Sequence, residues 1–198
     1  MTDGGAGLAP GKFLKEHTAA AHSATERLLL GDDGALRAGR LRLERYERLI
    51  TTTAAVWAAA RAAFADVPYY PKYQAIIDDL ATAAEKDEAL LPANLALATS
   101  PNFPEITDKT TALGSLYVLL GSTLGGKMIA RTLDKSPELQ PLPHYYFYEA
   151  CAAVPPKTWP GFQRELAAVV TSKGDLERCG EQALATFALY QFAYPTSG

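Results

Sequence analysis

The amino-acid sequence predicts a single all-α domain. Apolar residues recur at helical spacing along nearly the whole chain. No segment alternates apolar and polar residues with period two, so no strand is expected. Prolines gather in short joints between the helical stretches, as in a compact helical bundle, and no internal repeat is present.

The first helix is expected over residues 12–30, with Phe13, Leu14, His22, Leu28 and Leu29 among many alanines. Gly31-Asp32-Asp33-Gly34 ends it. Residues 40–65 form a long Ala-rich helix, with Leu43, Tyr46, Leu49, Ile50, Val56, Trp57 and Phe64 at helical spacing. Pro68 and Pro71 stop it, and a helix over 73–84 follows. A short helix is expected from Pro92, a favourable first position. Pro101 and Pro104 make a joint before a helix over 107–133. Pro137, Pro141 and Pro143 mark the next joint. Helices over 145–153, 161–171 and 176–192 complete the chain.

Composition narrows the function classes. Apolar residues make up 48% and charged residues 21%, the balance of a soluble globular protein. The net charge is −3 and Lys and Arg form no run, which argues against a nucleic-acid partner. The start lacks the apolar segment of a signal peptide, and no apolar run reaches membrane-spanning length. Cys151 and Cys179 have no CxxC spacing, so a reduced, cytoplasmic protein is expected. Residues 1–10 are small and unpatterned and read as a flexible tail, leaving 11–198 as the domain.

The most informative segment is LYVLLGSTLGGK, residues 116–127. Gly121, Gly125 and Gly126 interrupt a helical pattern at a cost of about 3 kcal/mol, roughly 1 kcal/mol each. At i, i+4 and i+5 they are expected on one side of the helix, with Gly114 near it. A bare backbone there admits a flat ligand, a bend or a closely packed helix.

The histidines are His17, His22 and His144. His17 and His22 are five apart, about 140° around a helix axis, so they do not share one metal. His22 sits among Ala19, Ala20, Ala21, Ser23 and Ala24, with Glu26 one turn on. Glu26 can hold one ring N–H and leave the other nitrogen free. The residues alone fit a partly exposed helix histidine paired with Glu26 as well as a ligand. Taken with the glycine helix, they fit a flat macrocycle held between two helices, as haem is commonly held by one histidine.

These residues carry a resemblance. LKEHTAAAHSATE, residues 14–26, and the glycine segment resemble heme oxygenases, particularly the bacterial type associated with bacteriophytochromes. Trp159, Phe162 and Leu166 resemble the pattern before the last helix, and ALATF at 183–187 resembles that helix. The resemblance covers about residues 12–192. It implies a heme oxygenase-like helical bundle with haem between the first helix and a Gly-kinked distal helix. It makes His22 the iron ligand and Glu26 its partner. Gly121, Ser122, Gly125 and Gly126 form the distal side, and Phe187 lines the pocket. Lys15 matches a basic residue facing the haem propionates, with Arg164 a second anchor. Tyr117 reaches a propionate or a water network, or packs in the core.

The implied activity is ring opening of haem to biliverdin with release of CO and iron, using O2. A ferredoxin, flavodoxin or reductase would supply electrons, and a bacteriophytochrome would receive biliverdin. Two positions depart from the pattern. Ser122 stands where mammalian-type members have Asp, and Leu120 where the phytochrome-associated branch often has Glu. That branch also has Ser-Thr at 122–123. The lost distal charge leaves a non-catalytic haem or biliverdin carrier or sensor as the alternative. A di-iron oxidase lacks its Glu-x-x-His pairs here. A thiaminase-like hydrolase would need an activated cysteine.

Overall fold

A computed structural model describes residues 9–31, 36, 38–91, 95 and 97–195. The expected tail lies almost wholly outside these residues, as do the first residues of the helix expected from Pro92. Among the described residues there are eight α-helices and no strand: α1 (Pro10–His17), α2 (Ala19–Leu30), α3 (Leu43–Ala65), α4 (Pro71–Ala89), α5 (Lys109–Leu133), α6 (Tyr146–Ala153), α7 (Thr158–Val169) and α8 (Lys173–Ala193). A 3-10 turn at Pro137–Leu139 separates α5 from α6.

The first expected helix is two. The break falls at Thr18, whose hydroxyl donates to Leu14 O at 2.8 Å, the same carbonyl that takes its backbone N–H. This second bond to the i−4 carbonyl bends helices. Thr18 O in turn accepts from the His22 N–H at 2.9 Å, so α2 leaves the break already in register.

Boundaries elsewhere follow caps. Asp108 and Thr111 form a capping box at α5, and Ser172 and Asp175 form one at α8. The second box starts α8 three residues earlier than the apolar pattern does. Pro71 opens α4 behind Tyr70, which is left-handed at φ 59°. The charged residues 85–88 then carry α4 past the expected stop at 84. Thr158 starts α7 three residues before the expected glycine. α3 starts at Leu43 because the preceding segment is held extended. Leu41 N donates to Ser136 Oγ and Leu43 N to Glu138 Oε2, both at 3.0 Å.

α5 is the central helix, packed on α6, α7 and α8, while α3 pairs with α4. It runs unbroken from Lys109 to Leu133, so the glycines thin the helix without interrupting it, and the expected kink leaves no break. An 18-residue window of α5 has mean hydropathy 1.2, enough by length and composition to cross a membrane. The apolar-run expectation misses this because Gly, Ser and Thr divide the run. In the fold 56% of that window is buried, as expected for a core helix. A polar seam ties α5 to α8: Gln182 Nε2 donates to Ser115 Oγ at 3.0 Å, and Thr186 Oγ1 lies 3.2 Å from the same oxygen.

Asp87 joins α4 to α6. It is 2% exposed, and its two oxygens accept from Tyr146 N and Phe147 N, each at 2.8 Å. It thus caps α6 from another helix. Burial pushes its carboxyl up from an ordinary 3.8 to about 6, against the pull of those two N–H groups. The folded state therefore holds a proton that the unfolded chain has lost, and stability falls as pH rises from about 4 to about 6. Asp87→Asn is expected to flatten this slope, worth roughly 2–3 kcal/mol across the window. Urea melts of both proteins between these pH limits measure it.

Candidate functional site

Three helices, α6, α7 and α8, pack around α5. Successive residues of a helix turn by about 100°, so residues along α5 face different neighbours. Tyr117 and Gly121 face α7: the Tyr117 ring lies 5.8 Å from that of Trp159, and a Cβ on Gly121 would lie 3.7 Å from Trp159. Gly125, about 40° further round, faces open space, and a Cβ there would meet nothing within 4 Å. Ser122 turns toward α8 and lies beside Tyr190. Gly126 faces α6, where a Cβ would fall 2.6 Å from Cys151 Sγ.

The expected single glycine face is therefore divided. Gly126 is about 100° from Gly125 and serves close packing of α6. Gly114 serves α8, since a Cβ there would lie 2.4 Å from Cys179 O. Of these four glycines, only Gly121 and Gly125 leave room for a Cβ.

His22 stands on α2, with 57% of its side chain exposed. Its Nδ1 lies 3.7 Å from Glu26 Oε2, one turn on, within ion-pair reach but beyond a hydrogen bond. The Phe187 ring of α8 meets it edge-on, centroids 5.7 Å apart and planes at 86°. Phe187 is 7% exposed, and the contact fixes how α2 sits on α8. Nε2 has no recorded partner among the described residues. α2 and α5 both pack on α8, with Phe187 of α8 against His22 and Trp159 of α7 beside Gly121.

Tyr117 couples the two sides. It is half-buried, and its phenol is pushed upward by burial, partly offset by the Thr18 hydroxyl beside it. Thr18 is the break between α1 and α2, so a residue of α5 touches the hinge that aims α2. Lys15 is exposed on α1, across that break from His22, so the two no longer belong to one continuous helix. Arg164 is exposed on α7, and its charge is felt by Tyr73 of α4; no described contact ties it to α2. Leu120 is 1% exposed and belongs to the core.

The other histidines stay apart. His17 stacks on Phe13 at 5.1 Å and packs over Gly180, while His144 stacks on Tyr146 at 4.8 Å beside Glu149. No group of three His, Cys, Asp or Glu among the described residues can hold a metal ion. Cys151 and Cys179 are free and buried, and burial pushes both thiols up to about 12, far from a reactive thiolate. A concavity of 450 Å³ between α4 and α6 carries Asp78, Asp79 and Glu149 and none of the predicted site residues.

Three contributors were not assigned from sequence. Tyr190 follows Phe187 by three, so the helical repeat alone places it on the same side of α8. Thr18 precedes His22 by four, on the same logic. Trp57 is a core tryptophan with no local signal.

No family model matches the chain, and no curated protein matches it. Solved structures do. The heme oxygenase of Leptospira interrogans superposes with a TM-score of 0.62 at 14% identity, covering 93% of this chain and 97% of that one. Heme oxygenase-1 of the cyanobacterium Synechocystis sp. PCC6803, solved in complex with heme, gives 0.55 at 17% identity, covering 92% and 89%. The fold is that of the heme oxygenases. At these identities the likeness establishes the heme oxygenase fold and leaves the chemistry to the site.

The two kinds of glycine in this fold separate by substitution. Gly125→Ala is expected to keep or raise stability by up to about 1 kcal/mol, since the methyl meets nothing and helix propensity improves. Gly126→Ala is expected to cost about 1–3 kcal/mol by overpacking on Cys151. Paired thermal melts decide this.

Proposed function

We propose that this protein is a heme oxygenase, opening haem to biliverdin with release of CO and iron. The observation that carries the reading is the pairing of His22, flanked by Glu26 and Phe187, with the bare Gly121–Gly125 backbone. It occurs on a fold shared with heme oxygenases along nearly the whole chain.

The residues present fit haem. Glu26 stands at Nδ1 of His22, which leaves Nε2 to meet iron. Gly125 presents backbone where any larger residue would intrude on a flat ring. Phe187 and Trp159 offer aromatic surface at the two flanks. Lys15 is an exposed cation on the His22 side that would meet the propionates, and Arg164 would need to swing from its place near Tyr73. Bound haem would supply iron chemistry with O2, fed by electrons from a ferredoxin, flavodoxin or reductase. Tyr117 would hold α5 to the Thr18 hinge and so keep the clamp closed. Ser122 would supply a hydroxyl, not a charge, on the distal side.

The Ser122–Thr123 pair supports the bacteriophytochrome-associated type, with biliverdin passing to a phytochrome and the reaction set in the cytoplasm. One observation favours a second reading. The distal face carries no carboxylate, with Leu120 buried in the core and Ser122 neutral. A carrier or sensor that holds haem or biliverdin would need nothing more.

Haem titration followed by ascorbate, or ferredoxin with its reductase, in air tests both. The heme oxygenase reading expects a His22-dependent Soret band that decays into a biliverdin spectrum. A stable band without ring opening supports the carrier, and no specific band contradicts both. Glu26→Ala is expected to weaken haem binding by about 10-fold, measured in the same titration.

A further inference from the structure

The helix that carries His22 has few anchors of its own. Of the twelve residues of α2 only Thr25 is buried, and no side chain caps its first turn. Ala21, Leu29 and Leu30 are partly buried against the core. A helix this short is marginal by itself, so its place depends on what other elements do to it.

Its last turn is gripped from α3. Arg45 Nη2 donates to Arg27 O at 3.1 Å and to Leu28 O at 3.0 Å. Helical carbonyls run out of helical donors in that turn, and a guanidinium there also meets the negative end of the helix dipole. Gly31 makes room for it. It ends α2 at φ 86°, its N–H donates to Arg27 O at 2.9 Å, and a Cβ there would lie 3.3 Å from Arg45 Cζ. Arg45 Nε lies 3.4 Å from the same point and is buried without a partner among the described residues. An arginine turned to solvent would keep that N–H hydrated. Here it is given up, and the hold on two carbonyls offsets the loss. We infer that Arg45 is a positioning residue, which locks the end of α2 onto α3 and so sets where His22 stands.

The use of the lock rests on the heme oxygenase reading. α2 is tied at its start by the Thr18 break beside Tyr117 of α5, and at its end by Arg45 of α3. His22 lies between the ties, about 9 Å along the axis from Leu28. With both ends held, α2 neither slides nor turns about its axis. Without Arg45 it pivots about Thr18 and carries His22 and Glu26 with it. Nε2 of His22 then no longer meets haem from one direction, and haem leaves sooner.

Amide hydrogen exchange in the full 15N-labelled chain without haem tests the lock. Arg45→Ala is expected to lower protection over residues 24–31 by about 10-fold, the loss of a charge-assisted contact, and to leave the α5 and α8 amides unchanged. Arg45→Lys keeps the cation and restores part of the protection. Arg48→Ala lies on the same helix but holds Pro195 O, so it leaves α2 as in wild type. Unchanged α2 exchange in Arg45→Ala overturns the lock. Equal losses through α5 and α8 overturn it too, since Arg45 is then a general stabiliser.

Transfer of ferric haem to a globin stripped of its own haem tests the role at the site. Release from Arg45→Ala is expected to be about 10-fold faster than from wild type, with Arg45→Lys between them and Arg48→Ala unchanged. A wild-type release rate in Arg45→Ala overturns the positioning of His22 even where the exchange result holds. A wild-type protein that forms no His22-dependent haem band overturns the heme oxygenase reading instead, and leaves Arg45 a lock on α2 alone.

Discussion

The close approach of α6 and α8 to α5 sets everything else in the molecule. At Gly126 and Gly114 there is no room for a methyl group, because Cys151 Sγ and Cys179 O occupy the positions where a Cβ would stand. Two such contacts, about three turns apart, hold α5 at one rotation about its axis. That rotation leaves Gly121 beside Trp159 of α7, with room for a Cβ, and Gly125 facing open space. The same glycine run thus provides both the grip and the opening. Losing the grip would turn the opening away from His22, with no change to either cleft glycine.

The opposite wall is aimed by polar contacts instead of packing. α2 begins at Thr18, where a hydroxyl competes for a helical carbonyl, and Tyr117 of α5 touches that point. Its histidine has a carboxylate 3.7 Å from one ring nitrogen and the Phe187 ring packed edge-on against it. α2 is thus the more exposed of the two helices, while much of α5 is buried. The buried carboxylate of Asp87 does similar service away from the cleft. It holds α6, which in turn presses Cys151 onto Gly126.

Much of this was legible in the sequence, for identifiable reasons. The helices follow from apolar spacing, and His22 with Glu26 follows from the i, i+4 rule, because both are local. The glycine spacing signalled a bare helix but not its division of labour, since a shift of one residue turns the backbone by about 100° toward a different neighbour. Only the position of α6 shows that Gly126 packs and Gly125 does not. The break at Thr18 was hidden because threonine is tolerated within helices. Arg164 reads from sequence as a cation of the mouth, and its place near Tyr73 of α4 depends on where α7 lies. Tyr190 and Trp57 come from helices far apart in the chain, and no spacing rule joins them. The heme oxygenase fold emerges from the whole, while the surroundings of Ser122 depend on these long-range meetings.

The central claim is that His22 and the Gly121–Gly125 backbone hold a flat tetrapyrrole between them. Titrating the 15N-labelled protein with gallium protoporphyrin, a diamagnetic stand-in for haem, tests it directly through ring-current shifts. The account predicts the largest shifts at Gly121, Gly125, His22 and Phe187, with smaller ones at Gly114 and Gly126. Shifts centred on the α4–α6 concavity, around Lys86 and Tyr146, would contradict it.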